Sequence, residues 1–242
     1  MNITLKINIA HLYPDLLNLY GDRGNIITLR RRLKKRGIEA LVHEYELKDE
    51  IDLADTDIIF IGGGSDREQQ LVCERLREMK NSLGDYAENG GCILAVCGGY
   101  QLLGNYYKLE NETIPGLEIL DIYTEQKQGR LIGNIVLDSA LIGSTVVGFE
   151  NHGGRTYTGN YEPLGTVRFG SGNNDEDKKE GVVYKNVIGT YLHGPLLPKN
   201  PKLADHIIKC AIKQRYDKDI TLSPIDDEIE TAAHEYCVER FK

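Results

Sequence analysis

A cysteine at position 97 stands where an apolar run, CILAV, meets two glycines and the helix-like segment YQLLG. The thiolate is the reactive form of cysteine, so a thiol used in chemistry needs a base and a setting that favours negative charge. A strand-to-helix turn supplies the setting, because the N–H groups opening the helix point toward the sulfur. A buried cysteine that packs as a small apolar side chain has the same local sequence. The base is expected from a histidine far away in the chain. His193, in VIGTYLHGPLLP, ends a strand-like run before a Gly-Pro break and is the first choice among the six histidines. His152, in the polar stretch FENHGGRTY, is the second. His11 closes the first strand-like run, whereas His43, His206 and His234 have no comparable setting. If Cys97 attacks an acyl carbon, the oxygen becomes negative and requires waiting N–H donors. Gly98 can supply one, and the glycine run 62–64 another.

These groups must be brought together by the elements that carry them. Strand-like runs at 3–9, 38–43, 57–61 (DIIFI) and 92–96 alternate with helix-like segments at 24–36, closed by Gly37, at 66–88, and from Gly98 through GGYQLLGNYY. That order predicts an α/β fold with a mostly parallel sheet flanked by helices. Right-handed crossovers place all strand carboxyl ends along one edge, where ligands of open parallel sheets bind. Gly62–Gly64 and Cys97 both follow strand ends and are expected at one crevice. Beyond residue 110, glycines punctuate β-prone runs at 131–137, 145–149, 165–169, 182–184 and 187–192, so additional antiparallel strands are expected in the second half. The stretch 170–181 reads as an acidic loop, and helices at 201–216 and 226–241 close the chain. Without a repeat or a linker-like stretch, residues 1–242 read as one domain with C-terminal helices over about 201–242.

Composition narrows the function classes. With 40% hydrophobic and 27% charged residues the chain is ordinary for a globular protein. Its net charge of -8 argues against general nucleic-acid binding. The basic run RRRLKKR at 30–36 falls on a helix whose Ile26, Leu29 and Leu33 recur at helical spacing; it reads as a solvated helix face, with an acidic-partner docking patch as the alternative. No apolar run reaches the roughly 18 residues of a membrane span. The N-terminus lacks the apolar core of a secretion signal, so the cytoplasm is the expected compartment and the five cysteines are expected to be reduced. No CxxC pair suggests a metal or redox motif, and no GxxxxGK[ST] loop is present.

Taken together, CGGYQLLG, IGGGSDREQQ, FENHGGRTY and GTYLHGPLLPKNP resemble the class I glutamine amidotransferases, specifically the cobyric acid synthase-like branch. With EQKQGRLIG and GNNDEDKKEG added, the set is similar to the glutaminase subunits of two-protein enzymes that amidate lipid II. The likeness runs over nearly the whole chain and weakens in the last forty or so residues.

The resemblance implies a class I amidotransferase-like (flavodoxin-like) fold and the hydrolysis of L-glutamine through a thioester on Cys97, with His193 as base and acid. It points to Gly63 and Gly98 as oxyanion donors and to Arg130 as binder of the α-carboxylate, a role suited to a guanidinium fork. Gln101, Asn151, His152 and Gly153 are implied as pocket residues. It further implies a heterodimer with a Mur-ligase-like (MurT-like) subunit. That partner would carry ATP and metal and would receive ammonia to amidate the D-glutamate of lipid II to D-isoglutamine in peptidoglycan synthesis; this chain itself would hold no cofactor. A different acceptor such as a cobyrinic acid, and a non-catalytic binding subunit, are the competing readings. One departure stands out. Many class I members place a glutamate two residues after the histidine, and here that residue is Pro195. The pair is therefore expected to work without an orienting carboxylate or, the reading favoured, with one from the partner.

Overall fold

The computed structural model describes residues 5–241. In chain order the elements are β1 (Lys6–Leu12), α1 (Arg23–Lys35), β2 (Glu39–Tyr45), β3 (Ile58–Ile61), α2 (Asp66–Arg77), α3 (Lys80–Glu88), β4 (Cys92–Val96), α4 (Gly98–Leu102), β5 (Tyr106–Lys108), β6 (Thr113–Pro115), β7 (Tyr123–Ser139), β8 (Ser144–Tyr157), β9 (Gly165–Phe169), β10 (Lys179–Glu180), β11 (Val182–Tyr184), β12 (Val187–Thr190), α5 (Pro201–Tyr216) and α6 (Glu228–Arg240). Residues 3 and 4 of the expected first strand, and residue 242 of the expected C-terminal helical region, lie outside the described residues.

One sheet runs β11-β12-β4-β3-β1-β2 and is parallel throughout except for β11. Every residue of β3 and β4 is buried, as continuous apolar runs require when helices cover both faces. Ile61 lies beside Ala95, and Val96 beside Thr190, so the carboxyl ends of β3, β4 and β12 are neighbours. The second sheet runs β10-β9-β7-β5-β6, with β8 paired to β7, and is antiparallel save for β5 against β7. The parallel sheet with antiparallel strands added in the second half is thus what the chain forms.

Some elements differ from expectation. The segment 66–88 is two helices, because Met79 leaves helical geometry at φ -115° and ψ 21°. The start of α2 is fixed by Ser65, whose N–H donates to the Glu68 carboxylate at 2.7 Å. The helix after Cys97 spans only five residues: Asn105 N–H turns to the Ile122 carbonyl at 2.7 Å, and the β-prone Tyr106 and Tyr107 join β5. The short runs expected at 131–137 and 145–149 are parts of one long hairpin, β7 and β8, with a bulge between Gln126 and Leu131.

The basic run on α1 has two inward members. Arg32 donates to Asp205 at 2.8 Å and to both oxygens of Asp227 at 2.6 and 2.8 Å. Arg36 donates to Asp205 and to the Ser223 carbonyl, each at 2.8 Å. These residues lash α1 to α5 and to the approach to α6, which removes them from a free docking patch. His234 of α6 adds a tie, meeting Thr145 Oγ1 and the Lys199 carbonyl at 2.7 Å each.

Removing one side of a buried ion pair leaves the other uncompensated. Arg32→Ala is therefore expected to cost about 3 kcal/mol of stability. A denaturant midpoint that fell with an unchanged slope would show this; a midpoint within experimental error of the parent's would mean the run serves only as a solvated face.

Candidate active site

Cys97 occupies the junction of β4 and α4 at φ 52° and ψ -108°, a conformation that side-chain-bearing residues adopt only under constraint. The constraint is visible. Cys97 N–H donates to the Thr190 carbonyl at 2.8 Å, and Gly99 N–H donates to the Gly62 carbonyl at 3.1 Å. A Cβ on Gly99 would stand 2.6 Å from the Ile61 carbonyl oxygen, so only glycine lets α4 start this close to β3. The turn thrusts the thiol toward a cavity of about 290 Å³ lined by Leu19, Gly64, Cys97, Gln101, Arg130 and His152 among others. Cys92, by contrast, begins β4 in the core, and burial raises its thiol well above the usual range. Larger clefts of about 440 and 690 Å³ lie between α6 and β8 and beside Asp57 and Arg215; neither contains a cysteine.

His193 reaches the same place from the end of β12. Its backbone N–H donates to the Phe149 carbonyl at 2.8 Å and its carbonyl accepts the Phe149 N–H at 3.2 Å, which ties the loop to β8. A Cβ on Gly63 would lie 3.0 Å from Cys97 Cβ and 3.3 Å from His193 Cε1, so thiol and imidazole share one small neighbourhood. The Tyr20 ring packs on the imidazole at 4.4 Å.

A carboxylate of this chain faces the imidazole. Asp22, fully buried at the start of α1, puts Oδ1 3.5 Å from His193 Nδ1, an ion-pair distance not aligned as a hydrogen bond. Burial alone would lower the His193 pKa; Asp22 and Cys97 outweigh it and raise it to about 9. The sequence reading did not single out this carboxylate, which stands beside the imidazole within the chain itself. Pro195, in the position where many class I members carry a glutamate, instead packs on Gly24, where a Cβ would come within 2.3 Å of its Cγ, and that close contact brings the start of α1 beside His193. The sequence signal for Asp22 is slight: an acidic residue before a helix, a setting that helix capping alone explains.

Asp22 also corrects the oxyanion expectation. Its Oδ2 accepts the Gly63 N–H at 2.8 Å, so that donor is occupied. Gly64, rather than Gly63, lines the cavity. Gly98 is the first residue of α4, where a helical N–H has no intrahelical acceptor.

The remaining expected residues converge. Arg130 sits on the β7 bulge, and bulges re-aim side chains. Its Nε and Nη2 donate to Asn151 Oδ1 and O at 2.9 and 2.8 Å, while Asn151 Nδ2 donates to the Tyr20 hydroxyl at 2.9 Å. Gln101 Nε2 donates to the Tyr191 hydroxyl at 3.1 Å. His152 stacks on Tyr191 at 3.6 Å, and burial lowers its pKa to about 3. It is therefore neutral. Nδ1 lies 2.7 Å from the Gly154 carbonyl, which can only accept, so Nδ1 carries the proton and Nε2 is left as an unpartnered acceptor. His152 is thus no second base, and Gly153 lines the pocket beside Arg130. Asp66, Gln69 and Tyr107 are pocket residues that sequence reasoning missed, and Tyr191 packs behind the pocket against His152 and Gln101. His11 is buried against Phe60, with its pKa lowered to about 4 chiefly by burial.

Residues 8–201 match the CobB/CobQ-like glutamine amidotransferase domain. The chain belongs to that family. It is 50% identical over 238 residues to the lipid II isoglutaminyl synthase (glutamine-hydrolyzing) subunit GatD of Staphylococcus aureus, covering 97% of this chain and 96% of the relative. To the GatD subunit of Streptococcus pneumoniae it is 43% identical, covering 97% and 92%. The cobyric acid synthase of Listeria innocua is 32% identical over 155 residues, 59% of this chain and 29% of the synthase. Among solved structures, the glutaminase domain of Trypanosoma brucei CTPS with bound acivicin superposes with a TM-score of 0.50 at 11% identity, covering 90% of this chain and 96% of that one, and shares the fold. The CobB/CobQ-like amidotransferase family named by the motifs is thus the one that matches.

In this amidotransferase, Asp22→Asn keeps an acceptor for Gly63 but removes the charge facing His193. The His193 midpoint is expected to fall by at least about one pH unit, read by NMR titration. A folded pKa of about 9 above the ordinary 6.5 stabilises the fold fully below pH 6.5 and progressively less as pH rises through 9. The stability gap between parent and variant should accordingly be widest at acid pH and close between pH 6.5 and 9. A gap that widened with rising pH would contradict the assignment.

Proposed function

We propose that the chain hydrolyses L-glutamine through a thioester on Cys97. The observation that carries this reading is the shared position of the strained Cys97, His193 and Asp22 behind one small pocket with Arg130 at its side. His193, held as imidazolium by Asp22, keeps the proton drawn from Cys97 while the sulfur attacks the side-chain amide carbon. Collapse of the adduct breaks the carbon–nitrogen bond, and His193 returns the proton to the departing ammonia. Water then attacks the thioester while His193 accepts its proton; glutamate leaves and the thiol is restored. Gly98 N–H supplies one oxyanion donor, and Gly64 is the loop residue placed to supply the second. Arg130 binds the α-carboxylate, with two of its nitrogens already held by Asn151.

The two GatD relatives support a cell-wall role: this chain as the glutaminase subunit of a two-protein amidotransferase that delivers ammonia to a Mur-ligase-like subunit. ATP and metal chemistry would reside on that partner, which would amidate the D-glutamate of lipid II to D-isoglutamine. The similarity to cobyric acid synthase favours a cobyrinic acid as the competing acceptor, over a shorter stretch. Co-purification separates the two, since recovery of a cobyrinic-acid-acting partner would end the cell-wall reading. No helix among the described residues is long and apolar enough to cross a membrane.

Cys97→Ala should reduce glutamate release from glutamine by at least about a thousandfold while leaving partner binding intact. Unchanged turnover would overturn the mechanism and revive the non-catalytic reading. A glutamine-like electrophile should label Cys97 and spare Cys92 in peptide mass spectra. Arg130→Ala should raise the glutamine KM about 10- to 100-fold with little loss of thermal stability, because the side chain is exposed.

A further inference from the structure

Opposite charges normally close on one another when they share a pocket. Here they do not. Asp66, the first residue of α2, and Arg130, on the β7 bulge, both line the Cys97 cavity. The hydrogen bonds of Arg130 go to Asn151, and it makes no ion pair with a carboxylate among the described residues. Its charge nevertheless acts on the Asp66 carboxyl. A cation and an anion facing one cavity without touching complement a ligand that carries both charges a short distance apart.

A second, independent feature lies one helical turn along the same face. Gln69 is 3% exposed and lines the cavity. Its Nε2 donates to the Gly64 carbonyl at 3.2 Å, an acceptor that fixes which end of the amide is which. Gln69 Oε1 is left buried with no partner. A buried acceptor without a donor costs free energy unless a ligand supplies the donor. The positions i and i+3 of a helix share a face, so both acceptors of α2 are presented together.

We infer that the first turn of α2 is the α-ammonium subsite of the pocket, with Asp66 supplying the counter-charge and Gln69 Oε1 a directed acceptor, opposite Arg130. The inference rests on the glutaminase reading and deepens it. Arg130 alone would accept any small carboxylate, whereas the pair selects an α-amino acid. The subsite also sets the orientation of the substrate, because two anchors on one carbon fix which way the side-chain amide points. Asp66 and Gln69 are specificity residues, remote from the bonds that break.

The test compares two substrates on the full chain together with any subunit that co-purifies with it: glutamine, and 5-amino-5-oxopentanoate, which is glutamine without its α-ammonium. The unaltered protein should favour glutamine in kcat/KM by about 10- to 100-fold, the size expected for one charge-assisted contact. Asp66→Asn should raise the glutamine KM by a similar factor, move kcat little and collapse the preference between the substrates; Asp66→Glu should restore part of it. If Asp66→Asn lowers kcat/KM for both substrates equally, the residue serves the start of α2 and the inference is wrong. An unaltered protein that does not distinguish the two substrates overturns it as well. Continued glutamate release by Cys97→Ala would instead bring down the catalytic reading on which the subsite depends, so the two failures are told apart.

Discussion

The site depends on the parallel pairing of β12 against β4. Thr190 lies beside Val96, and the Cys97 N–H reaches the Thr190 carbonyl at 2.8 Å. That contact brings Cys97 and the strand that leads to His193 to one edge of the sheet. It also holds Cys97 in a backbone conformation that the residue would not keep on its own, with strain offset by the packing of α4 against β3. Asp22 then joins from the first strand-to-helix connection, touching both the glycine loop and the histidine. Three segments remote in sequence meet because each follows a strand of the same sheet, in the region where parallel sheets place their ligands.

Much of this was readable in the residues. The buried runs IIFI and CILAV announce central parallel strands, and the glycines that follow them announce close backbone approach. The strand-to-helix break and the strand end before Gly-Pro singled out Cys97 and His193, and the likeness of the motifs to a known family added Arg130. What escaped was set by tertiary context. Asp22 resembles an ordinary helix-start residue, and tertiary contacts, the packing of Pro195 on Gly24 and the bond from the Gly63 N–H, set it beside the imidazole. Gly63 and Gly64 are indistinguishable in a run of three glycines until one N–H is seen to be taken. The length of β7 and β8 escaped because Gly129, Gly153 and Gly154 read as breaks, whereas they lie inside the two strands.

The pocket shows how polarity is apportioned. On one side Asn151 holds the Arg130 guanidinium, and Tyr20 holds Asn151. On the other, His152 is kept neutral by burial and pinned by the Gly154 carbonyl, and Tyr191 supports both its ring and Gln101. The side chains near the thiol are thus set by neighbours rather than left free, which is the condition for pre-organised chemistry. The ties of Arg32 and Arg36 extend that order outward, because α1, which they lash to the C-terminal segment, begins directly after Asp22.

The connection from β4 to β12 encloses the whole second sheet, so the chain passes through some ninety residues between Cys97 and His193. A nascent chain leaves the ribosome from its N-terminus, and a long connection closes late. Cys97 is made well before His193, and the two come together only when β12 pairs with β4. The site is consequently assembled only after the whole second sheet has been synthesised.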